Sequence, residues 1–224
     1  VYPFIKTCGL KKDEIHFLEI GCGDGKYGLN ISQYVKEYSG VDIRKKSLNK
    51  AKKTLVGKNN CKLYLNDGKT LNQFPDNSQH LVFSYQVFFH FPEKNIIESY
   101  LKEVFRVLNK DGIAKIQLSG PCMRGGLRIS WFSIARFNFI WRVFRFLPGN
   151  FQIPILRLKA PKIKWGRWGA FYNPLSAIRM IEKLGGRAFT KPCIYGSPYN
   201  VNDRELYWLY ITKNRNNISE ICLG

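Results

Sequence analysis

The chain has 224 residues, of which 45% are hydrophobic and 23% are charged, so wholesale disorder and a fibrous repeat are both excluded. Its length suits one large domain, or one domain with a sub-domain. The charge balance is unusual, because 36 Lys and Arg against 16 Asp and Glu give a net charge of +20 at pH 7. This excess favours polyanions or anionic membrane surfaces as partners and carries no information about the fold.

Six scattered cysteines, with no C-x-x-C pair and no clustered histidines, argue against a metal site and against a dense disulfide framework. We therefore expect a reducing compartment and a cytoplasmic protein. The sequence begins with Val1 rather than methionine, so we expect the native start to lie upstream. Every window of 18 residues contains a charge, so no simple membrane span is predicted.

Strands and helices alternate along the first 120 residues. The pattern of apolar residues predicts strands at 15–20, 38–43, 62–65, 80–85 and 113–118, and helices at 26–35, 45–55 and 93–108. A turn at 109–112 separates the third helix from the strand that follows it. A helix at 174–184 and a strand at 205–212 come later. This alternation predicts an α/β fold with a parallel sheet, whose ligand lies at the carboxyl ends of the strands.

A glycine-rich loop follows the first predicted strand. Glu19-Ile20 leads into Gly21-Cys22-Gly23-Asp24-Gly25, and Asp42 ends the second strand. Glycines allow a sharp turn and a close approach of a ligand to the backbone, and the helix beyond offers unpaired N–H groups. An acid at the end of the second strand can accept hydrogen bonds from ribose hydroxyls. The loop also matches G-x-G-x-x-G from Gly23 to Gly28, so by itself it leaves a nicotinamide or flavin nucleotide open.

The loop resembles the first motif of the class I S-adenosylmethionine-dependent methyltransferases, an acid two residues before G-x-G-x-G. Three later segments extend the resemblance in the family's order, namely 66–68, 83–92 and 104–112. The chain departs from the family at 109–111, where Lys-Pro-Gly is usual, and at Phe89, where Gln is frequent. The resemblance covers about 15–120 and disfavours an oxidoreductase. It implies S-adenosylmethionine as cofactor and a Rossmann-like doubly wound sheet of seven strands, mostly parallel with an antiparallel last strand.

The resemblance also implies roles for individual residues. Glu19 would orient the ligand through its amino group or through the loop amides, Asp42 would accept from the ribose, and Asp67 would contact the adenine. Cys22 is expected to be a small spacing residue and not a nucleophile. The residues expected to bind the cofactor are Glu19, Gly21, Cys22, Gly23, Gly25, Asp42, Ile43, Asn66, Asp67, Gly68, Ser84, Tyr85 and Gln86.

Methyl transfer from a sulfonium is a single displacement, so the protein mainly aligns donor and acceptor and excludes water. A hydroxyl acceptor benefits from a general base, and His90 is the one histidine whose motif position places it near the cleft. The alternative is a histidine that packs within its aromatic loop. His16 and His80 fall at the other end of the predicted sheet and are interpreted as structural.

A basic and aromatic insertion at 121–170, which we expect to be helical, follows the fifth strand and interrupts the alternation. No acid occurs between Gly112 and Ile181, whereas twelve Lys and Arg and four of the five tryptophans do. We interpret the insertion as an acceptor lid, with an interfacial membrane element and a nucleic-acid platform as alternatives. The residues expected on the acceptor side are Tyr27, Arg124, Arg128, Trp131, Trp165 and Trp168.

We therefore predict a cofactor-binding core at 1–120, the insertion at 121–170, and a final helix, closing strand or strands and tail of the same domain at 171–224. The predicted activity is O- or N-methyl transfer to a small-molecule, glycan or lipid-linked acceptor that carries negative charge, by a cytoplasmic enzyme that can be peripheral on an anionic membrane. The alternatives are an RNA methyltransferase and a non-catalytic module that binds a membrane or a protein. The oligomeric state stays open.

Overall fold

The computed structural model describes residues 4–5, 9–121, 169–192 and 204–214. Within these ranges the strands are β1 (His16–Ile20), β2 (Glu37–Asp42), β3 (Cys61–Leu65), β4 (Gln79–Ser84), β5 (Leu108–Pro121), β6 (Arg187–Pro192) and β7 (Arg204–Thr212). The α-helices are α1 (Lys26–Ile31), α2 (Lys45–Thr54), α3 (Lys94–Val107) and α4 (Pro174–Lys183). Short 3₁₀ turns lie at Lys12–Glu14, Ser32–Tyr34 and Phe88–His90.

The seven described strands form one sheet in the order β3-β2-β1-β4-β5-β7-β6. The strands from β3 to β5 in this order are parallel, and β7 runs antiparallel to both of its neighbours. The order reverses beside β1, which pairs with both β2 and β4, so a crevice opens at the carboxyl ends of these strands. The predicted α/β fold class is confirmed, including the antiparallel last strand.

Alternating residues of β1 face two apolar layers. Leu18 and Ile20 belong to the larger core, which includes residues of α3 and α4. Phe17 faces the other core, which includes Ile31 at the end of α1 and Leu55 after α2. Burying both faces explains why β1 is almost continuously apolar. Glu19, on the same side as Phe17, is the one charged residue of this strand and lies where the strand reaches the crevice.

The structure corrects three details of the prediction. The first helix ends at Ile31 and continues as the 3₁₀ turn. The predicted turn at 109–112 lies inside β5, whose pairing with β4 shifts register there, because Leu108 pairs with Gln79 and Ile113 with Leu81. Strand β6 was not identified from the apolar pattern, since Arg187–Pro192 contains two cations and a proline.

The predicted insertion lies outside the described residues between 122 and 168, and with it Arg124, Arg128, Trp131, Trp165 and Trp168. None of the helices in the described part of the chain is long and apolar enough to cross a membrane.

Candidate cofactor site

The glycine loop turns back on β2 directly after β1. The amides of Gly21 and Cys22 both donate to the carbonyl of Val41, at 2.8 and 3.0 Å. Gly21, Gly23 and Gly25 have φ values of 77°, 56° and 80°. L-residues rarely adopt this left-handed conformation, so glycine at these three positions lets the chain leave β1 and enter α1 within five residues.

Gly21 also has a steric reason to be glycine. A Cβ atom built on it would lie 2.2 Å from Cγ2 of Val87, whereas one built on Gly23 meets no atom within 4 Å. Val87 follows β4, so the glycine loop and the end of β4 pack directly against each other. This contact closes one side of the crevice.

Asp42 is buried beneath the loop at the end of β2, with 6% of its surface exposed. Its Oδ2 accepts from the amide of Gly23 at 3.0 Å, and its Oδ1 accepts from the amide of Arg44 at 2.8 Å. The Arg44 guanidinium is 3.7 Å from the same Oδ1. Each carboxylate oxygen has a second lone pair, so a fixed acceptor for ribose hydroxyls remains at the crevice.

Glu19 is buried on β1, with 3% of its surface exposed, and accepts a hydrogen bond of 2.5 Å from the Tyr38 hydroxyl. Burial raises the pKa of Glu19 to about 7, the hydrogen bond from Tyr38 opposes the rise, and the nearby Asp24 carboxylate adds to it. A carboxyl group with this pKa changes charge near neutrality and so can respond to a cationic ligand.

Tyr38 is a site residue that the sequence analysis missed. In the β1–β2 register Phe17 lies opposite Tyr38 and Glu19 lies opposite Gly40, so the side chains of Glu19 and Tyr38 are on the same side of the sheet. Gly28 makes room for the ring, because a Cβ atom there would lie 2.6 Å from Cε1 of Tyr38. Both residues are visible in the sequence, but their proximity can be predicted only when the register of β1 and β2 is known.

The turn after β3 is held by its own hydrogen bonds. Asn66 is buried, and its Oδ1 accepts from the amide of Gly68 at 2.8 Å and from the Tyr100 hydroxyl. Asp67 is exposed and accepts from the amides of Lys69 and Thr70, both at 2.8 Å. Desolvation opposes the shift, but the bonds from Thr70 and Lys69 hold the pKa of Asp67 below its usual range. Asn66 therefore shapes the turn, and Asp67 stays ionised at its surface.

The end of β4 forms the other wall of the crevice. The Ser84 hydroxyl is fully buried and donates to the carbonyl of Ile20 at 3.0 Å, which ties β4 to β1. Gln86 has a φ of 58°, and its amide donates to Oε1 of Gln117 at 3.1 Å. A left-handed glutamine is strained, so the hydrogen bond from β5 helps to hold it. Tyr85 stacks on Trp208 with ring centroids 5.8 Å apart.

Tyr27 and Ile43 are the expected site residues with large exposed apolar surfaces. Ile43 is 60% exposed and follows Asp42. Its Cγ2 lies 3.5 Å from the position of a Cβ on Gly68, so the two loops meet there. Tyr27 is 41% exposed, and its ring meets those of Phe83 and Tyr85 edge-on. Partial burial raises the pKa of Tyr27, so its hydroxyl stays neutral.

The pKa values of Cys22 and His90 are shifted in opposite directions, and only His90 is suited to proton transfer. Burial raises the pKa of the Cys22 thiol, and the Glu19 and Asp42 carboxylates raise it further, so the thiol stays protonated. His90 is exposed in the Phe88–His90 turn. Desolvation lowers its pKa and Arg44 lowers it further, so its imidazole is neutral near pH 7. His90 therefore suits proton transfer, whereas Cys22 suits close packing.

His16 and His80 lie at the amino end of the sheet, away from the crevice, where the His16 amide donates to Nδ1 of His80 at 3.2 Å. Among the residues that the structure describes, no group of three His, Cys, Asp or Glu could hold a metal ion.

The crevice offers groups that fit S-adenosylmethionine. Asp42 is a fixed acceptor for ribose hydroxyls, and Ile43 offers apolar surface to a flat adenine. Glu19 supplies a carboxyl group beneath the loop that can balance an ammonium group. The cofactor residues expected from the sequence thus lie at one edge of the sheet. Among them, the side chains of Asn66 and Ser84 form hydrogen bonds to backbone groups and hold the backbone in place.

Comparison with known proteins agrees with this geometry. Residues 18–116 match the family model described as a methyltransferase domain. A search of curated proteins found no match. Structurally, the chain is similar to a SAM-dependent methyltransferase from Methanosarcina mazei (17% identity, 96% of this chain and 98% of that one, TM-score 0.62). It is also similar to YcgJ from Bacillus subtilis (17% identity, 95% of this chain and 97% of that one, TM-score 0.60). A third similar structure is DhpI in complex with SAH (13% identity, 91% of this chain and 79% of that one, TM-score 0.52).

The solved structures share little sequence with this chain, so their similarity concerns the fold. The match over 18–116 spans the glycine loop, Asp42, the turn after β3 and the end of β4. The residues expected from the sequence and the match to the family model thus cover the same segment. Residues 18–116 therefore match a methyltransferase domain, and the chain has the fold of S-adenosylmethionine-dependent methyltransferases.

Proposed function

We propose that this enzyme transfers a methyl group to an oxygen or nitrogen of a small-molecule, glycan or lipid-linked acceptor that carries negative charge. The acceptor would bind at the edge of the crevice where β5 ends and the Phe88–His90 turn lies. The observation that carries this proposal is where the described ends of the insertion are attached.

Both ends are attached beside the crevice. Pro121 ends β5 at the carboxyl edge of the sheet. On the returning side, the amide of Gly169 donates to the carbonyl of Phe89, and the amide of Ala170 donates to that of Phe91, each at 2.6 Å. These carbonyls flank His90. A segment that leaves and re-enters the fold at this edge is well placed to supply acceptor contacts.

The charge of the insertion supports an anionic acceptor. It contains ten Lys and Arg, and no acid occurs between Gly112 and Ile181, so its charge favours phosphate or carboxylate groups on the acceptor. Arg44, with its guanidinium exposed, adds a cation at the edge where His90 lies.

The chain's own residues would bind and orient the two substrates and move a proton. When bound, S-adenosylmethionine supplies a methyl group on a sulfonium. Asp42 and the glycine loop would hold the nucleoside, and the Phe88–His90 turn would help to exclude water from the acceptor. For a hydroxyl acceptor, the oxygen would use an electron pair to form the new bond to the methyl carbon while the carbon–sulfur bond of the donor breaks and its electron pair goes to sulfur. The O–H bond would break, and its proton would go to the imidazole of His90.

Labelled methyl transfer tests the acceptor class. The protein and its Asp42→Ala variant are incubated with methyl-labelled S-adenosylmethionine and host extract, and lipid, glycan, RNA, protein and small-molecule fractions are counted. We expect Asp42-dependent label in the lipid, glycan or small-molecule fraction. Label confined to RNA would replace this proposal with an RNA methyltransferase, which the net charge of +20 also favours.

The role of His90 is tested by His90→Gln against His16→Gln as the matched control at the opposite end of the sheet. With a hydroxyl acceptor, we expect His90→Gln to lower kcat by about 100-fold and to remove the rise of kcat with pH. His16→Gln should change neither. A His90→Gln enzyme with an unchanged pH profile would show that the imidazole only shapes its loop.

A further inference from the structure

The outer face of α2 carries a cluster of exposed lysines. Leu48 and Ala51 face the protein and are buried. The lysine face is formed by the exposed residues Lys45, Lys46, Lys50, Lys52 and Lys53. Because these positions share one side of the helix, their charges point in a common direction into solvent.

No acid compensates this charge locally. The sequence has none between Asp42 and Asp67, a stretch that contains eight Lys and Arg. Arg44 approaches Asp42 and Lys62 pairs with Glu37. Within the described parts of the chain, the five lysines of the lysine face make no ion pair. The positive charge of these lysines is therefore not neutralised by an ion pair with any described residue.

The lysine face also opposes the stability of its own helix. The N-cap residue, Arg44, makes no side-chain capping bond, and the first turn contains no acid. Lys45 and Lys46 instead place positive charge at the positive end of the helix dipole, which is unfavourable. A helix that keeps this arrangement is better explained by an external anionic partner than by the needs of folding.

Exposed aliphatic residues accompany the lysines. The three most exposed large hydrophobic residues of the described chain are Val56 at 78%, Ile43 at 60% and Leu65 at 55%. Ile43 belongs to the candidate cofactor site, but Val56 lies two residues after α2 and belongs to neither apolar core. Lysines that contact headgroups beside aliphatic side chains that reach the acyl boundary are the composition of an interfacial membrane surface.

The same stretch is poorly suited to nucleic acid. Binding of unpaired bases uses exposed aromatic rings as stacking platforms. Tyr64 is the only aromatic residue between Ile43 and Asn66, and its ring packs edge-on against Phe74 with centroids 5.2 Å apart. The stretch therefore offers cations and aliphatic groups but no available ring.

We propose that the lysine face of α2, together with Val56, docks on an anionic lipid bilayer. The lysines contact negatively charged headgroups, and Val56 enters the interface below them. This docking is independent of the acceptor's identity, because it requires only the charge and the exposed aliphatic side chain.

Vesicle binding by the full chain tests the proposal, with phosphatidylcholine vesicles compared with phosphatidylcholine–phosphatidylserine vesicles in a sedimentation assay. One triple variant changes Lys45, Lys50 and Lys53 to Gln. The matched control changes Lys94, Lys102 and Lys110 to Gln. These lysines are also exposed, but Lys94 and Lys102 lie on α3, which packs on the other face of the sheet, and Lys110 lies near the start of β5. Both variants lose the same charge, and unchanged binding of S-adenosylhomocysteine shows that both are folded.

We expect the α2 variant to bind the anionic vesicles about tenfold or more weakly, and the control less than about threefold more weakly. Neither should affect the weak binding to neutral vesicles. Equal losses in the two variants would contradict the proposal, since net charge alone would then explain binding. So would binding to duplex RNA that the α2 variant loses while vesicle binding is absent.

Val56→Ser tests the choice of a membrane over other polyanions, because it leaves the charge unchanged. We expect Val56→Ser to bind anionic vesicles about threefold more weakly than the unmodified protein does. This difference should remain at high salt, because salt screens charge but leaves apolar contacts intact. An unchanged affinity would contradict the insertion of this side chain.

Discussion

The two ends of the sheet differ in how their backbone and polar groups are held. At the carboxyl end, Gly21 and Gln86 adopt left-handed conformations, and Glu19 is buried with a raised pKa. At the amino end, the Arg106 guanidinium donates to Glu103 and Asp76 and to two backbone carbonyls. The backbone strain and the buried carboxyl group at the crevice are therefore unfavourable for folding, whereas the Arg106 guanidinium at the opposite end is paired with carboxylates and carbonyls.

This difference predicts that only substitutions at the carboxyl end affect ligand binding. Strained backbone and buried charge persist only where the surrounding fold holds them. The amino end contributes that support without contacting the crevice. Changes at the carboxyl end should therefore alter ligand binding, pH dependence or loop packing, and changes at the amino end should alter stability alone.

The largest expected effect on stability comes from Gly21→Ala. The new methyl group combines a left-handed φ with a clash against Val87, so we expect the free energy of unfolding to fall by about 4 kcal/mol. Gly23→Ala is the control, because its φ is also positive but no atom lies within 4 Å, and it should cost about 1 kcal/mol. Urea denaturation measures both, and equal losses would show that the Val87 contact does not matter.

Glu19 should give the domain a distinctive pH dependence. Its pKa rises from 4.5 to about 7 on folding, so the folded state binds this proton more tightly than the unfolded state. Its contribution to stability is full below about pH 4.5 and is lost as pH rises through 7, a change of about 3 kcal/mol. Glu19→Gln cannot ionise, so its free energy of unfolding should fall about 3 kcal/mol less than that of the unmodified protein between pH 4.5 and 8.

Tyr38→Phe sharpens this test. Removing the hydroxyl donor should raise the pKa of Glu19 further, so the loss of stability should continue to higher pH than in the unmodified protein. Identical pH dependence in all three proteins would contradict the burial of an ionisable Glu19.

Arg106→Met should have the smallest of these effects and should leave binding unchanged. It removes hydrogen bonds to the Glu103 and Asp76 carboxylates and to the Phe74 and Leu71 carbonyls, and we expect a loss of about 2 kcal/mol. Calorimetry should give the same affinity for S-adenosylhomocysteine as in the unmodified protein. A parallel loss of affinity would contradict the separation of the two ends.

The parts of this molecule that the sequence predicted are those encoded locally. The glycine loop and Asp42 lie within one strand-turn-helix-strand unit. Their residue types predict a sharp turn after the first strand and an acidic side chain at the end of the second. The apolar runs of β1 and β4 likewise predict buried strands without knowledge of their neighbours.

What the sequence analysis missed depends on contacts between distant segments. Tyr38 reaches Glu19 only through the register of β1 and β2. The segment 109–112 reads as a turn because of its polar residues, yet pairing with β4 places it within β5. The hydrogen bond from Gly169 to Phe89 has no signal in either segment alone.

The most direct test of the central claim is binding of S-adenosylhomocysteine to Asp42→Ala, measured by calorimetry, with Asp67→Ala as control. Asp42 is a buried acceptor fixed by Gly23 and Arg44, whereas Asp67 is exposed and bonded within its own turn. We expect Asp42→Ala to weaken binding by about 100-fold or more, since hydrogen bonds to a charged group are lost, and Asp67→Ala to weaken it by about tenfold or less. Unchanged affinity in Asp42→Ala would contradict the assignment of this crevice as the cofactor site.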